Sequence, residues 1–150
     1  MSNRLVAAYG VGVNRVEMAK RCPTAKLMGA SVLKNHRLTF RGSHAVAVAN
    51  IEPAKGCSVP VLMWEITPAD EAALDLYEGF PHLFEKQQIR IRLGGKLVSC
   101  MMYVMRGDRP VGKPSAFYYS VVLEGYKAAG FDTEILKSAV QNESEEATDS

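Results

Sequence analysis

Three places in this chain carry residue types able to bind an anion or move a proton. The first is Tyr9-Gly10-Val11-Gly12-Val13, where a short apolar run meets two glycines, with Asn14 behind them. A strand, a glycine turn and a helix amino terminus leave backbone N–H groups unpaired, which suits a carboxylate or a phosphate. A glycine turn that binds nothing uses the same residues. The second place is Glu78, directly before Gly79. A helix carboxy terminus carries partial negative charge and disfavours a carboxylate by about 0.3–1 kcal/mol. Asp75, three residues earlier, adds like-charge repulsion. Both effects favour the protonated acid and move it toward use as a general base, although an exposed terminal glutamate loses little by standing there. The third is Tyr118, whose place on an apolar helical stripe buries the ring and leaves its hydroxyl in need of a partner, in the core or at a pocket wall.

Other chemistries lack their residues. Gly10-Val11-Gly12 fails as a dinucleotide fingerprint because the third glycine position holds Arg15, and no Walker A sequence is present. Cys22, Cys57 and Cys100 lie far apart with no C-x-x-C pair, and His36, His44 and His82 are equally scattered. Neither a disulfide framework nor a metal site is expected, and these six residues read as small buried thiols and surface imidazoles. Trp64 and the methionines at 101, 102 and 105 read as packing residues.

The elements that must hold the three places follow from local rules. Leu5 to Tyr9 reads as a buried strand, and Asn14 caps a short helix through Met18 and Arg21 that Pro23 terminates. Segments 30–40, 45–50 and 59–66 read as extended. Thr67-Pro68-Ala69-Asp70 starts a helix with a cap, a first-turn proline and an acid three residues after the cap. It turns Ala73, Leu74 and Tyr77 inward and ends after Glu78 at Gly79. Ile89, Ile91 and Leu93 alternate into Gly94-Gly95, which makes a hairpin with 97–105. Ser115 opens a helix with Tyr118, Val121, Val122, Gly125, Tyr126 and Ala129 on one stripe, Gly130 stops it, and a short helix over 134–140 follows. Hairpin signals outnumber strand–helix alternation. The expected class is therefore α+β, a small mixed and mostly antiparallel β-barrel with flanking helices, with a doubly wound parallel sheet as the alternative.

Composition narrows the setting. The chain has 150 residues, 47% hydrophobic and 23% charged, as expected of one globular domain. Its net charge is +2, but residues 142–150 hold four acids and no base, so residues 1–141 carry 18 bases against 12 acids. The division expected is a folded domain over 1–141 and an acidic, solvated tail over 142–150. No basic run is interleaved with stacking aromatics, so nucleic acid is not an expected partner. No apolar run reaches the roughly 20 residues of a membrane helix, and the first ten residues lack a signal-peptide core. The expected setting is the cytoplasm, with a small molecule as partner.

Taken in order, Ala8-Tyr9-Gly10, Arg21-Cys22-Pro23, the segment from Ser58 to Ile66, Leu74-Asp75-Leu76-Tyr77-Glu78-Gly79-Phe80-Pro81, Pro114-Ser115-Ala116-Phe117-Tyr118 and Leu123-Glu124-Gly125-Tyr126 resemble the γ-glutamylcyclotransferase-like family over about residues 4–140. The resemblance implies a compact α+β domain with a small barrel and a pocket for a γ-glutamyl group. It makes Glu78 the acid/base residue, assigns substrate binding to Tyr9, Gly10, Val11, Gly12 and Val13, and sets Tyr118 near the pocket. It requires no cofactor. The implied reaction is attack of the substrate's α-amine on its own γ-carbonyl, releasing 5-oxoproline and an amine or amino acid. Family members usually read Tyr-Gly-Ser-Asn at the loop and often carry tyrosine where this chain has Phe84, so hydroxyl and amide groups are missing here. A non-catalytic module with the same pocket is therefore an alternative, as is another amide- or amine-processing enzyme on the same fold. Neither the leaving amine nor the oligomeric state is legible.

Overall fold

The computed structural model describes residues 3–42 and 46–140. The run Arg4–Ala8 forms β1 and lies at the middle of a five-stranded sheet of order β2-β3-β1-β5-β4. Its flanking strands are β2 (Lys26–Gly42), β3 (Ala47–Ile66), β4 (Phe84–Leu93) and β5 (Lys96–Met105). β1 pairs antiparallel with β3 and parallel with β5 at Val6 opposite Met101, so the sheet is mixed. The other ladders, β2 with β3 and β4 with β5, are antiparallel, the latter turning at Gly94-Gly95.

The sheet curls until its outer strands meet, but it does not close. Ser31 on β2 donates its hydroxyl to the Arg92 carbonyl on β4, and no ladder joins the two strands. Gly29 makes the approach possible, because a Cβ there would sit 3.1 Å from a Leu93 methyl. The expected barrel is thus corrected to an open, strongly curved sheet, and the α+β class stands.

A second departure is the length of β3. The extended segments expected at 45–50 and 59–66 belong to one strand of 20 residues, with Pro53 and Pro60 inside it. β1 covers β3 only from Leu62 to Ile66, so both prolines lie where β3 has a ladder on one side alone. A missing N–H is tolerated at such an edge.

The helices form where the local signals put them. Asn14 caps α1 (Arg15–Arg21) by accepting from Val16 and Glu17. Thr67 and Asp70 complete a capping box on α2 (Pro68–Glu78), and Gly79 ends it at φ 64°, a conformation that favours glycine. Ser115 caps α3 (Ala116–Ala129), and residues 134–140 are helical. One face of α2 differs from expectation. Leu74 is buried, but Tyr77 is 60% exposed, its ring beneath the Arg21 guanidinium. The acidic stretch 142–150 lies outside the described residues.

The core is continuous from the sheet to α3, with Phe40, Met63, Met101, Val122 and Tyr126 inaccessible or nearly so. Where α3 crosses the glycine turn after β1, Gly125 removes the obstacle. A Cβ there would lie 2.7 Å from the Asn14 nitrogen and 2.8 Å from the Val13 carbonyl, both backbone atoms that cannot swing aside. We expect Gly125→Ala to lower stability by about 1–3 kcal/mol through overpacking, measured by denaturant unfolding. Unchanged stability would mean that helix and turn are not in tight contact.

Candidate active site

The turn after β1 is built from backbone and braced from behind. Gly10 leads into a 3-10 turn, Val11–Val13, in which the Val13 amide bonds to the Gly10 carbonyl and the Asn14 amide to that of Val11. Among the described residues, the amides of Val11 and Gly12 have no such partner. Two side chains hold the turn. The Trp64 indole donates to the Gly12 carbonyl at 2.9 Å. The Asn14 amide donates to Val121 on α3 at 2.9 Å, while its oxygen caps α1. Asn14 is therefore committed to structure. Gly12 is obligatory for a separate reason, because a Cβ there would fall 2.6 Å from that of Ala8.

This turn forms one wall of a cavity of about 170 Å³. Tyr9, Gly10, Val11, Gly12, Glu78 and Tyr118 all line it, so six of the seven residues singled out in the sequence come together. Val13 does not. It is 1% exposed and belongs to the core, and its amide is spent inside the turn. Phe84 supplies an apolar ring to the wall.

Glu78 is the last residue of α2, and its environment is unfavourable to charge. Burial raises its pKa to about 7, against the ordinary 4.5, and the Arg21 charge opposes the rise. The expected repulsion from Asp75 is not the cause, because that carboxylate is engaged elsewhere. It accepts from the Tyr103 hydroxyl at 2.6 Å and pairs with Lys86 at 3.0 Å, and Lys86 also reaches Glu71 at 2.6 Å. The network fastens α2 to β4 and β5, and so fixes the end of the helix from which Glu78 projects. No single local rule indicates it, since Lys86 lies eleven residues beyond Asp75.

The hydroxyls nearby are kept neutral. Burial, with the negative charge of Glu78 in support, raises the pKa of Tyr9 well above its usual value. Burial likewise raises that of Tyr118, partly offset by the Ala49 amide, which donates to its oxygen at 3.0 Å. The Tyr9 proton is already given to the Tyr103 carbonyl. Tyr118 has no acceptor among the described residues and lies beside Gly10, where a Cβ would be 3.3 Å from its oxygen. Its O–H is thus available to the cavity.

Sequence reasoning missed two participants. Trp64 reads as packing, yet its indole N–H holds the glycine turn. Arg21 reads as the end of a short helix, yet it lines the cavity, and with Glu78 it makes up the charged part of the described wall. The site contains a raised acid, a neutral hydroxyl donor, unpaired amides and one guanidinium. That set can take up a small zwitterion and accept a proton from it.

A five-stranded mixed sheet thus carries, in one α+β domain, an acid at a helix end that shares a cavity with a glycine turn. The profile of the family described as γ-glutamyl cyclotransferase, AIG2-like, matches residues 6–120, and the chain belongs to that family. Among solved structures it is similar to a γ-glutamyl cyclotransferase, at 21% identity and TM-score 0.81, over 92% of this chain and 86% of that one. An uncharacterised human protein superposes equally well, at 22% identity and TM-score 0.81, over 93% and 87% of the two chains. A yeast γ-glutamyl cyclotransferase specific to glutathione is more distant, at 8% identity and TM-score 0.64, over 97% of each. At these identities the likenesses establish the fold. No curated protein matches the chain in sequence.

Because the folded protein holds the Glu78 proton to a higher pH than the unfolded chain does, raising the pH from about 4.5 to about 7 costs stability. Below this window the penalty is absent, and above it the penalty is constant. Glu78→Gln, which removes the charge, is therefore expected to melt at a higher temperature than wild type at pH 8, by on the order of 1–3 kcal/mol of stability. At pH 4 the two should nearly coincide. Parallel unfolding curves at both pH values would contradict a buried acid.

Proposed function

We propose that this protein cyclises γ-glutamyl compounds, releasing 5-oxoproline and an amine or amino acid. The observation that carries the reading is a buried carboxylate, Glu78, with a pKa near neutrality, on the same small cavity as the unpaired amides of Val11 and Gly12. The α-carboxylate of the γ-glutamyl group lies on those amides, and its α-ammonium faces Glu78. Glu78 takes one proton from the ammonium, and the freed amine attacks the γ-carbonyl. A C–N bond forms and a five-membered ring closes; Glu78 gives the first proton to the leaving nitrogen as its C–N bond breaks, and the second proton shed by the ring nitrogen follows by way of Glu78, so that the amine departs as its ammonium. The substrate brings its own nucleophile, so no serine or cysteine is needed.

The remaining groups suit these steps. The Tyr118 O–H can donate to the carbonyl oxygen as it gains charge, its own oxygen being held by the Ala49 amide. The cavity holds the glutamyl chain folded on itself, and an oriented intramolecular attack of this kind has a very large effective molarity. A second reading, binding without turnover, draws support from Val11, an apolar residue on the wall where the family has a hydroxyl.

Incubation with a panel of γ-glutamyl amines and dipeptides, followed by assay of 5-oxoproline, tests both. Wild type is expected to release it, with kcat/KM rising through about pH 7 as Glu78 loses its proton. Glu78→Gln should lose about 10²–10⁴-fold. Saturable binding of the panel with no product would support the binding module instead, and equal rates in wild type and Glu78→Gln would remove the assigned role.

A further inference from the structure

Arg21 is the one strong cation on the described cavity wall, and its circumstances are unusual for an arginine beside an acid. Its guanidinium lies 4.5 Å above the ring of Tyr77, and no ion pair or hydrogen bond to its side chain is found among the described residues. Its charge nevertheless reaches Glu78 and Tyr118, since it lowers the pKa of both. Stacking on an aromatic ring occupies the face of a guanidinium and leaves its N–H edge free, in the planar fork that matches a carboxylate. Tyr77 is 60% exposed, so the stacked pair reaches the solvent side of the site.

The cavity itself is small. At about 170 Å³ it falls below the 300–1,000 Å³ typical of pockets for larger ligands, so it takes a group the size of one amino acid. Under the cyclotransferase reading, on which this inference rests, the glutamyl carboxylate and ammonium are already matched by the turn amides and Glu78. The leaving part of the substrate must then extend toward the mouth.

We propose that Arg21 binds a carboxylate carried by the leaving group, so that the preferred substrates are γ-glutamyl amino acids rather than γ-glutamyl amines. The fork forms a bidentate pair with the α-carboxylate of the departing amino acid, and Tyr77 keeps the guanidinium oriented. The carboxylate and amide nitrogen of the leaving residue are separated by one carbon, so the pair also fixes the direction of the scissile bond.

The test uses γ-glutamylalanine and γ-glutamylethylamine, which differ only in the carboxylate of the leaving group. Wild type is expected to favour γ-glutamylalanine by about ten- to a hundredfold in kcat/KM, the range of a charge-assisted pair. Arg21→Gln should bring that ratio close to one, and Arg21→Lys, which keeps the charge without the fork, should retain part of it. Both compounds share the same glutamyl group and the same Glu78, so the ratio cancels any change in the ionisation of the acid. A wild type without preference overturns the proposal, as does an Arg21→Gln variant that slows both compounds equally. If wild type produces no 5-oxoproline from either compound, calorimetric binding of the two decides. Tighter binding of γ-glutamylalanine that Arg21→Gln abolishes keeps the role of Arg21 while the cyclisation reading falls, and equal or absent binding removes the role.

Discussion

The burial of one carboxylate is the constraint around which this structure is arranged. Glu78 stands at the negative end of α2 inside a cavity, where water cannot fully solvate its charge. Such a position costs free energy in the ionised state, and the fold supports it by fixing everything next to it. The left-handed cap at Gly79 ends the helix at the acid. Asp75, Lys86, Glu71 and Tyr103 tie the helix to two strands through ion pairs and a hydrogen bond, and Glu78 is left without such partners. Among the described residues the opposite charge that acts on it is Arg21, which tempers the shift without abolishing it. An acid poised between two protonation states follows from this contrast within a single helix.

The opposite wall works by different means. The turn after β1 presents peptide groups, and their positions are fixed by Trp64, Asn14 and the absent side chain of Gly125. None of the three has to touch a ligand. This division explains how Val11 and Gly12 can stand where hydroxyl and amide side chains are usual in the family. The shape of the main chain survives such changes as long as the supports behind it remain.

Much of the local structure is legible from residues that punctuate it. Asn14, Thr67-Pro68, Gly79, Gly94-Gly95, Ser115 and Gly130 each act through bonds or torsions spanning a few residues, and each begins or ends an element where expected. Six of the cavity residues are legible too, the glycines at a strand end and the acid at a helix end as anomalies within a short window and the others through the family resemblance. What was hidden depends on distant partners. Pro53 and Pro60 look like breakers, yet β3 runs through them because one of its sides has no ladder there. Asp75 looks like a repulsive neighbour of Glu78 until Lys86 and Tyr103 arrive from the sheet. Tyr77 fits an inward stripe by spacing, but the guanidinium of Arg21 gives it a reason to stay at the surface. Whether the sheet closes is a matter of curvature summed over five strands, which no segment encodes.

The meeting of β2 with β4 has a bearing on how the molecule behaves in company. A strand with one free side offers a row of donors and acceptors to any extended chain that drifts past, and many proteins blunt that hazard with charges or prolines. Here the two outermost strands curl toward each other, touching through Ser31 and Arg92, so along that seam each screens the other's bare backbone. Along that seam, protection against intermolecular sheet growth comes from curvature, added to the charges that β4 carries and the prolines within β3.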